Sequence, residues 1–330
     1  MRPVDVLQPL RSTSQRFARS VAVVLVSGLL ATSAVAQLPA FPHGVTDGLA
    51  DLRGEDFRDT EARRAQGREL LDAAVERQGG AAWSEHTTLS LTAVDRFREP
   101  GPWWPQKDQR GEYLLALGTF TSNVELLDGP ATGALWGIQS WRPYRAASTD
   151  APIEFLDQDL PIEFYLPTLH YFNELPFRLA TAPIVVDLGS ETLHGIAYDR
   201  VIITWGQTAP SDEVDQYVAW IDRRSGLITK VHYTVREVAG LPFIPEEQKP
   251  IVRAGAVGTI HFDDFRRVDG VLLPFRHVVT QFGPAQSGAD PSEGEGWVHV
   301  FEIERASFDA RPVTDLLPDD GLPAPADRKP

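Results

Sequence analysis

The chain has 330 residues, no cysteine and a formal net charge of −15. A surface of this sign repels phosphate backbones, so we expect no nucleic-acid partner, and the lack of cysteine excludes disulfide and thiol chemistry. The sequence also lacks a glycine-rich phosphate loop, a Gly-x-Ser-x-Gly elbow and a His-Glu-x-x-His pair, so we expect no cofactor and no metal.

Residues 1–36 have the order of a secretory signal peptide. A basic region with four arginines precedes an apolar run over residues 21–30 and the small residues Ala34-Val-Ala36. We expect cleavage after Ala36 and a periplasmic or secreted protein; an uncleaved membrane anchor is the alternative. No other stretch is long and apolar enough to cross a bilayer, so we expect no integral membrane span in the mature chain.

An amphipathic helix is predicted next. Residues 37–58 contain proline, glycine and scattered charges without a hydrophobic period, which indicates an extended lead-in. From Glu61 to Gln78 the apolar residues form one stripe, with Thr60 or Asp59 as the N-cap and Gly79 as the stop signal.

The segments that follow alternate between apolar and polar residues, which predicts about 10 or 11 antiparallel strands. They cover residues 86–97, 111–117, 120–127, 135–141, 184–188, 196–205, 217–235 as a hairpin, 256–267, 271–282 and 296–308. Asp222-Arg-Arg-Ser-Gly226 and Val268-Asp-Gly270 supply the turn residues of two hairpins, and only one face of these strands is uniformly suited to a core. We expect one domain over residues 59–309 and a disordered tail over residues 310–330.

Residues 151–182 differ from the strands around them because proline recurs in short aromatic runs. Regular strands and long helices both tolerate proline poorly, so we expect one or two short helices or turns here. The Pro-Gly-Pro-Trp-Trp-Pro stretch at residues 100–105 is predicted to be a loop.

A one-sided sheet of this length favours a strongly curved half-barrel over a sandwich. An uncovered apolar hollow of about 400 Å² would forgo roughly 10 kcal/mol of burial, which is comparable to the stability of a whole domain. We therefore expect residues 151–182, a lipid-like ligand, or both in competition to fill the concave face.

Five segments carry a resemblance to a known family. They are QGGAAW at residues 78–83, FNELPFRL at 172–179, GIAYDRV at 195–201, DRRSGL at 222–227 and VDGVLLPF at 268–275. Together they resemble an uncharacterised branch of exported bacterial proteins that is similar to the outer-membrane lipoprotein carrier superfamily. The resemblance implies an open half-barrel whose concave face is covered by short helices and, in true carriers, accepts acyl chains. These motifs are architectural, so no family binding residue is carried over.

Candidate catalytic groups are few. His170 and Glu174 have the i, i+4 spacing that could serve a metal or a base, or alternatively a surface ion pair or a buried hydrogen-bonded histidine. Asp263 and Asp264 are adjacent on a predicted strand, so their side chains point to opposite faces and cannot act as a carboxylate pair. We expect a binding protein rather than an enzyme.

Aromatic and apolar residues form the predicted ligand-binding set. The set comprises Trp136, Trp141, Phe155, Phe164, Tyr165, Leu169, Phe172 and Trp220. Their alternative role is ordinary core packing. The predicted function is non-catalytic binding of a lipid, an acyl chain or a lipidated protein in the cell envelope. The alternatives are a hydrolase or metal-dependent enzyme on the same scaffold, and a subunit of an envelope complex.

Overall fold

The structure is a computed structural model, and it describes residues 49–54, 56–98, 108–209, 214–234, 257–281 and 297–318. The predicted signal peptide, the tryptophan loop and residues 319–330 lie outside the described residues. The strands are β1 Thr88–Phe97, β2 Asp108–Ala116, β3 Ser122–Leu126, β4 Leu135–Gln139, β5 Arg142–Ala146, β6 Glu154–Phe155, β7 Ile184–Leu193, β8 Ile196–Thr204, β9 Gln216–Asp222, β10 Leu227–Thr234, β11 Val257–Val268, β12 Val271–Gln281 and β13 Trp297–Phe308. The helices are α1 Ala50–Arg53, α2 Glu61–Gln78, α3 Gly80–Trp83 and α4 Leu160–Ala180, followed by a 3-10 turn at Val313–Leu316.

All 13 strands form one antiparallel sheet in the order β6-β5-β4-β3-β2-β1-β13-β12-β11-β10-β9-β8-β7. Consecutive strands pair with each other except β6 and β7, which form the two edges, and the pairing of β1 with β13 joins the two halves. The sheet is curved and does not close, because β6 and β7 each pair with one strand only. The predicted fold class, a mainly β half-barrel, is confirmed.

The strand count exceeds the predicted one because β5 and β6 were not expected. The turn between β4 and β5 is made by Ser140 and Trp141, which have φ angles of 49° and 67°. Neither residue is typical of a left-handed conformation, so the sequence carries no turn signal there. The two hairpin turns with glycine were predicted correctly: Gly226 and Gly270 have φ angles of 73° and 90°.

Helix α2 has the predicted bounds. The Thr60 hydroxyl accepts a hydrogen bond from the backbone N–H of Arg63 at 3.3 Å, and Gly79 ends the helix in the left-handed conformation. Its buried side packs on β7, where Gly67 allows the two backbones to touch. A Cβ atom on Gly67 would lie 2.6 Å from the backbone nitrogen of Asp187.

The contact at Gly67 leads to a stability prediction. Replacing glycine by alanine inside an exposed helix normally stabilises it by about 1 kcal/mol. Here Gly67→Ala is expected to lower the free energy of unfolding by about 1 to 3 kcal/mol, because the rigid backbone of β7 cannot move aside. Urea unfolding measures the change, and Gln66→Ala at the neighbouring exposed position is the control. A Gly67→Ala variant as stable as the control would contradict the close contact.

Helix α4 differs from the one or two short helices expected for this segment. Leu160–Ala180 is one helix of 21 residues, capped by the Asp159 carboxylate, which accepts from the Ile162 backbone N–H at 3.2 Å. Pro161 lies in the first turn, where an amide hydrogen is not needed. Pro167 and Pro176 lie inside the helix, and burial against the sheet offsets their cost.

The outer face of the sheet is also covered in part, so the expectation of a single apolar face is incomplete. Leu49, next to α1, packs there in a second apolar cluster, and the Arg200 guanidinium donates to the carbonyl of Leu52. The lead-in therefore contains a short helix. Within the stretch predicted to be a tail, Val313–Leu316 forms a 3-10 turn, and Leu316 is fully buried against Leu114 and Ala116. The second cluster consists of Leu49, Val186, Leu188, Ile202, Val218, Trp220 and Val257.

Candidate ligand-binding site

The concave face of the sheet and the helix that covers it form one continuous apolar cluster. Alternate residues of the strands point into the hollow, and α4 lies against them, particularly on β3, β4 and β5. The four predicted site residues on α4 are all buried in this cluster, with at most 2% of their surface exposed: Phe164, Tyr165, Leu169 and Phe172. Helix α4 thus occupies the hollow that a ligand would need.

The structure brings six of the eight predicted site residues to this face. The four α4 residues just named meet Trp136 of β4 within the main cluster. Trp141 is partly buried against the cluster, and its ring centroid lies 5.0 Å from that of Phe120.

Phe155 and Trp220 lie on the outer face instead. In an antiparallel sheet, directly paired residues share a face. Phe155 pairs with Tyr144, and the pairing continues through Gly137 and Asn123 to Leu114, which packs on the outer face.

Trp220 belongs to the second cluster. The Lys230 ammonium lies 3.5 Å from the centroid of the Trp220 ring, and Tyr198 packs edge-on to that ring at 5.4 Å. Burial lowers the pKa of Lys230 to about 8. A bulge between Ile228 and Lys230 sets which β10 side chains reach each face, and no local sequence pattern shows it.

A buried polar group anchors the C-terminal half of α4 to the loop between β2 and β3. The Glu174 carboxylate accepts from His170 Nδ1 at 2.8 Å, from the Gly118 backbone N–H at 2.9 Å and from Arg178, whose nearest nitrogen is at 3.1 Å. His170 Nε2 faces the carbonyl oxygen of Thr121 at 2.9 Å. The two ring nitrogens of His170 thus connect the Glu174 carboxylate to the β2–β3 loop.

These contacts of Glu174, called the α4 anchor below, explain why its carboxylate is charged. Burial alone would raise the pKa of Glu174, but Arg178, the hydrogen bond and charge of His170, and the Gly118 amide together lower it below its usual value. The Arg178 guanidinium also donates to the Thr119 carbonyl at 2.8 Å and lies 4.3 Å from the Phe120 ring centroid. His170 and Glu174 are therefore a buried structural pair.

A second polar group lies deeper, between the sheet and the N-terminal half of α4. His299 Nε2 of β13 hydrogen-bonds to Asp95 Oδ1 of β1, and both side chains are almost fully buried. The Tyr113 and Tyr165 hydroxyl oxygens are 2.6 Å apart, and the Tyr165 hydroxyl lies beside the Asp95 carboxylate. Burial, followed by the negative charge of Asp95, raises the pKa of both tyrosines well above the usual range. The predicted set did not contain Asp95, His299 or Tyr113.

The sequence contains a signal for the burial of Asp95 and His299. Asp95 alternates with Ala93 and Phe97, and His299 alternates with Phe301 and Ile303, so both fall on the apolar side of their strands. A charged residue in such a position is rarely buried without a partner.

His277 gives the hollow a measurable pH response. Its Nε2–H donates to the Pro274 carbonyl at 3.1 Å, and burial lowers the pKa of His277 to about 3. Because the unfolded chain binds this proton first, the free energy of unfolding is expected to fall as the pH drops from about 6.5 to 3, with a slope of up to about 1.4 kcal/mol per pH unit from this residue. Urea unfolding of His277→Gln should show a shallower slope. The exposed His194→Gln is the control, and equal slopes in the two variants would contradict this assignment.

The described residues do not provide a metal centre or a transmembrane helix. No group of three or more histidine, aspartate or glutamate side chains converges among them. Asp264 is ion-paired with Arg266, and Asp263 lies 3.6 Å from Arg276, so the two carboxylates serve separate arginines. Within the described ranges, no helix combines the length and hydropathy needed to cross a bilayer.

Fold and site together define an open half-barrel whose concave face is closed by one of its own helices. The chain matches no protein-family model, and no curated protein matches it. Among solved structures it is similar to a DUF1329 family protein from Desulfovibrio piger, with 10% identity, a TM-score of 0.43, and coverage of 75% of this chain and 94% of that one.

Two further similar structures have related descriptions. One is a putative outer membrane lipoprotein-sorting protein domain from Vibrio parahaemolyticus, with 11% identity, a TM-score of 0.43, and coverage of 77% of this chain and 97% of that one. The other is a LolA superfamily protein from Nitrosomonas europaea, with 11% identity, a TM-score of 0.41, and coverage of 74% and 94%.

Proposed function

We propose that the protein binds an apolar ligand on the concave face, in the space that α4 occupies in this structure. The ligand classes are a lipid, an acyl chain or the acyl group of a lipidated protein. The observation that carries the proposal is that one helix supplies the apolar lid of the hollow, through Phe164, Tyr165, Leu169 and Phe172. An acyl chain in the same position would bury the same strand residues.

The composition of α4 supports its displacement. Pro167 and Pro176 cannot donate to the carbonyls four residues earlier, and each costs an interior helix position about 3 kcal/mol. Side-chain hydrogen bonds support the helix backbone: Thr168 donates to the Phe164 carbonyl at 2.7 Å, and Asn173 donates to the Leu169 carbonyl at 2.9 Å. The helix therefore depends on its contact with the sheet, and a ligand that takes over this contact releases it.

We further propose that this binding takes place outside the cytoplasm, after cleavage behind Ala36. The basic, apolar and small-residue order of residues 1–36 supports export. The half-barrel domain is proposed to span residues 59–309.

A cross-linking experiment tests whether the ligand site lies beneath α4. The chain has no cysteine, so Thr119→Cys and Arg178→Cys together provide a single pair of thiols, and the Arg178 guanidinium already reaches the Thr119 carbonyl. We expect the mature double variant to take up a fluorescent fatty acid saturably before a short bismaleimide joins the two positions. After cross-linking, uptake is expected to fall at least tenfold.

The two single-cysteine variants, treated with the same reagent, control for modification itself. Saturable uptake that is equal before and after cross-linking would place the ligand elsewhere. No saturable uptake by any form would refute the proposed function. Release of a carboxylic acid from a long-chain ester, lost in His170→Ala, would instead favour the hydrolase alternative.

A further inference from the structure

The concave face is not uniformly apolar, and its polar residues constrain the ligand. Asp95, His299 and Tyr113 belong to the sheet and remain in place whether or not α4 covers them. Each is at most 2% exposed in the closed structure. The ring centroids of Phe97 and His299 are 4.4 Å apart, and those of Phe301 and Tyr113 are 5.6 Å apart. Aromatic rings therefore surround the polar groups.

Helix α4 contacts these polar groups through the hydroxyl of one side chain, Tyr165. The Tyr165 hydroxyl is the hydrogen-bond partner of Tyr113 and lies beside the Asp95 carboxylate. Asp95 Oδ2 is buried and accepts no hydrogen bond from the described residues, whereas Oδ1 is held by His299. The closed structure thus leaves one buried carboxylate oxygen without a hydrogen-bond donor.

If α4 is displaced, Tyr113 and Asp95 lose the Tyr165 hydroxyl, and the ligand that replaces α4 must supply their hydrogen bonds. A hydrocarbon chain would bury Tyr113 without its partner and Asp95 with an unused acceptor, and unmade hydrogen bonds to buried groups are costly. A ligand that places a hydroxyl or amide N–H at the same depth would restore the contacts that Tyr165 makes. A carbonyl group could accept from the Tyr113 hydroxyl but could not donate to Asp95, because a carboxylate only accepts.

We infer that the ligand carries a hydrogen-bond donor on its apolar portion, such as a hydroxylated acyl chain, and that Asp95 and Tyr113 receive it in the position of the Tyr165 hydroxyl. This inference rests on the proposed function, because it concerns the same hollow after α4 has moved. It adds a selectivity that an apolar hollow alone would not have.

Competition between matched fatty acids tests the inference. Stearate, stearates hydroxylated at carbon 3, 10 or 12, and 12-oxostearate are used to displace the fluorescent fatty acid from the mature protein. At least one hydroxylated chain is expected to bind about tenfold more tightly than stearate and more tightly than the oxo chain, which cannot donate to Asp95. In Asp95→Val/His299→Leu, which removes the acceptor and its partner together, the preference is expected to disappear.

The outcomes separate this inference from the proposed function. If none of the fatty acids competes, the proposed function fails. If stearate and every hydroxylated chain bind alike, the hollow still binds lipid but the inferred selectivity is wrong. Glu302→Gln, at a partly exposed position on the same strand as His299, serves as the control that keeps the preference.

Discussion

Replacing His299 with leucine is expected to lower the free energy of unfolding by about 3 to 5 kcal/mol. The substitution leaves the Asp95 carboxylate fully buried without the hydrogen bond from His299 Nε2, and an uncompensated buried charge is among the most destabilising changes in a core. Urea unfolding at pH 7 measures the loss. Because β1 and β13 join the two halves of the sheet at this pair, the transition should remain a single step.

A double substitution distinguishes charge burial from loss of packing. In Asp95→Val/His299→Leu both polar groups are gone, so most of the lost stability is expected to return, as it does when a buried ion pair is replaced by apolar residues of similar volume. A double variant that is less stable than His299→Leu would contradict this expectation. It would show that the Asp95–His299 contact stabilises the fold by more than the cost of burying the two polar side chains.

Replacing Glu174 with glutamine is expected to cost about 3 kcal/mol at pH 7. The carboxylate that binds His170, Arg178 and the Gly118 amide becomes neutral, and the Arg178 guanidinium loses its buried ion-pair partner. The pH dependence has a defined sign. Because the folded-state pKa of Glu174 is below the usual 4.5, its contribution is complete above that pH and is lost as the pH falls further.

Acid titration of stability checks the assignment. Between pH 5 and 3, Glu174→Gln should lose less stability than the parent protein, whereas Glu69→Gln on the exposed side of α2 should follow the parent. Since Glu174 fixes α4 to the β2–β3 loop, the variant is also expected to take up the fluorescent fatty acid faster. Parallel acid curves for Glu174→Gln and the parent would contradict the α4 anchor.

The sequence predicts those parts of the fold that depend on local chemistry. The bounds of α2 follow from Thr60 and Gly79, and two hairpins follow from glycine at positions 226 and 270, because caps and left-handed turns restrict residue type locally. The length of α4 could not be predicted in this way. The cost of its prolines is local, while the burial that offsets it comes from strands far away in the chain.

The same distinction applies to the site. Whether a strand residue faces the hollow depends on the register accumulated across several strands, and bulges at Thr92/Ala93, Asp187/Gly189 and Ile228/Lys230 change that register. Trp220 therefore lies in the outer cluster, while Trp136 lies in the hollow. Asp95 and His299 meet across 204 positions of chain, so only the folded sheet shows that they form a pair.

The first strand of the sheet pairs with the last one, so the middle of the sheet is completed only when β13 has been synthesised. Leu89 lies opposite Phe308, and the Asp309 backbone N–H donates to the Thr88 carbonyl at 3.1 Å. A chain that emerges from its N-terminus onwards presents an open β1 edge until residues 297–308 arrive, and such long-range pairing is slow. During this interval the unpaired β1 edge is a surface on which the nascent protein can pair with other chains.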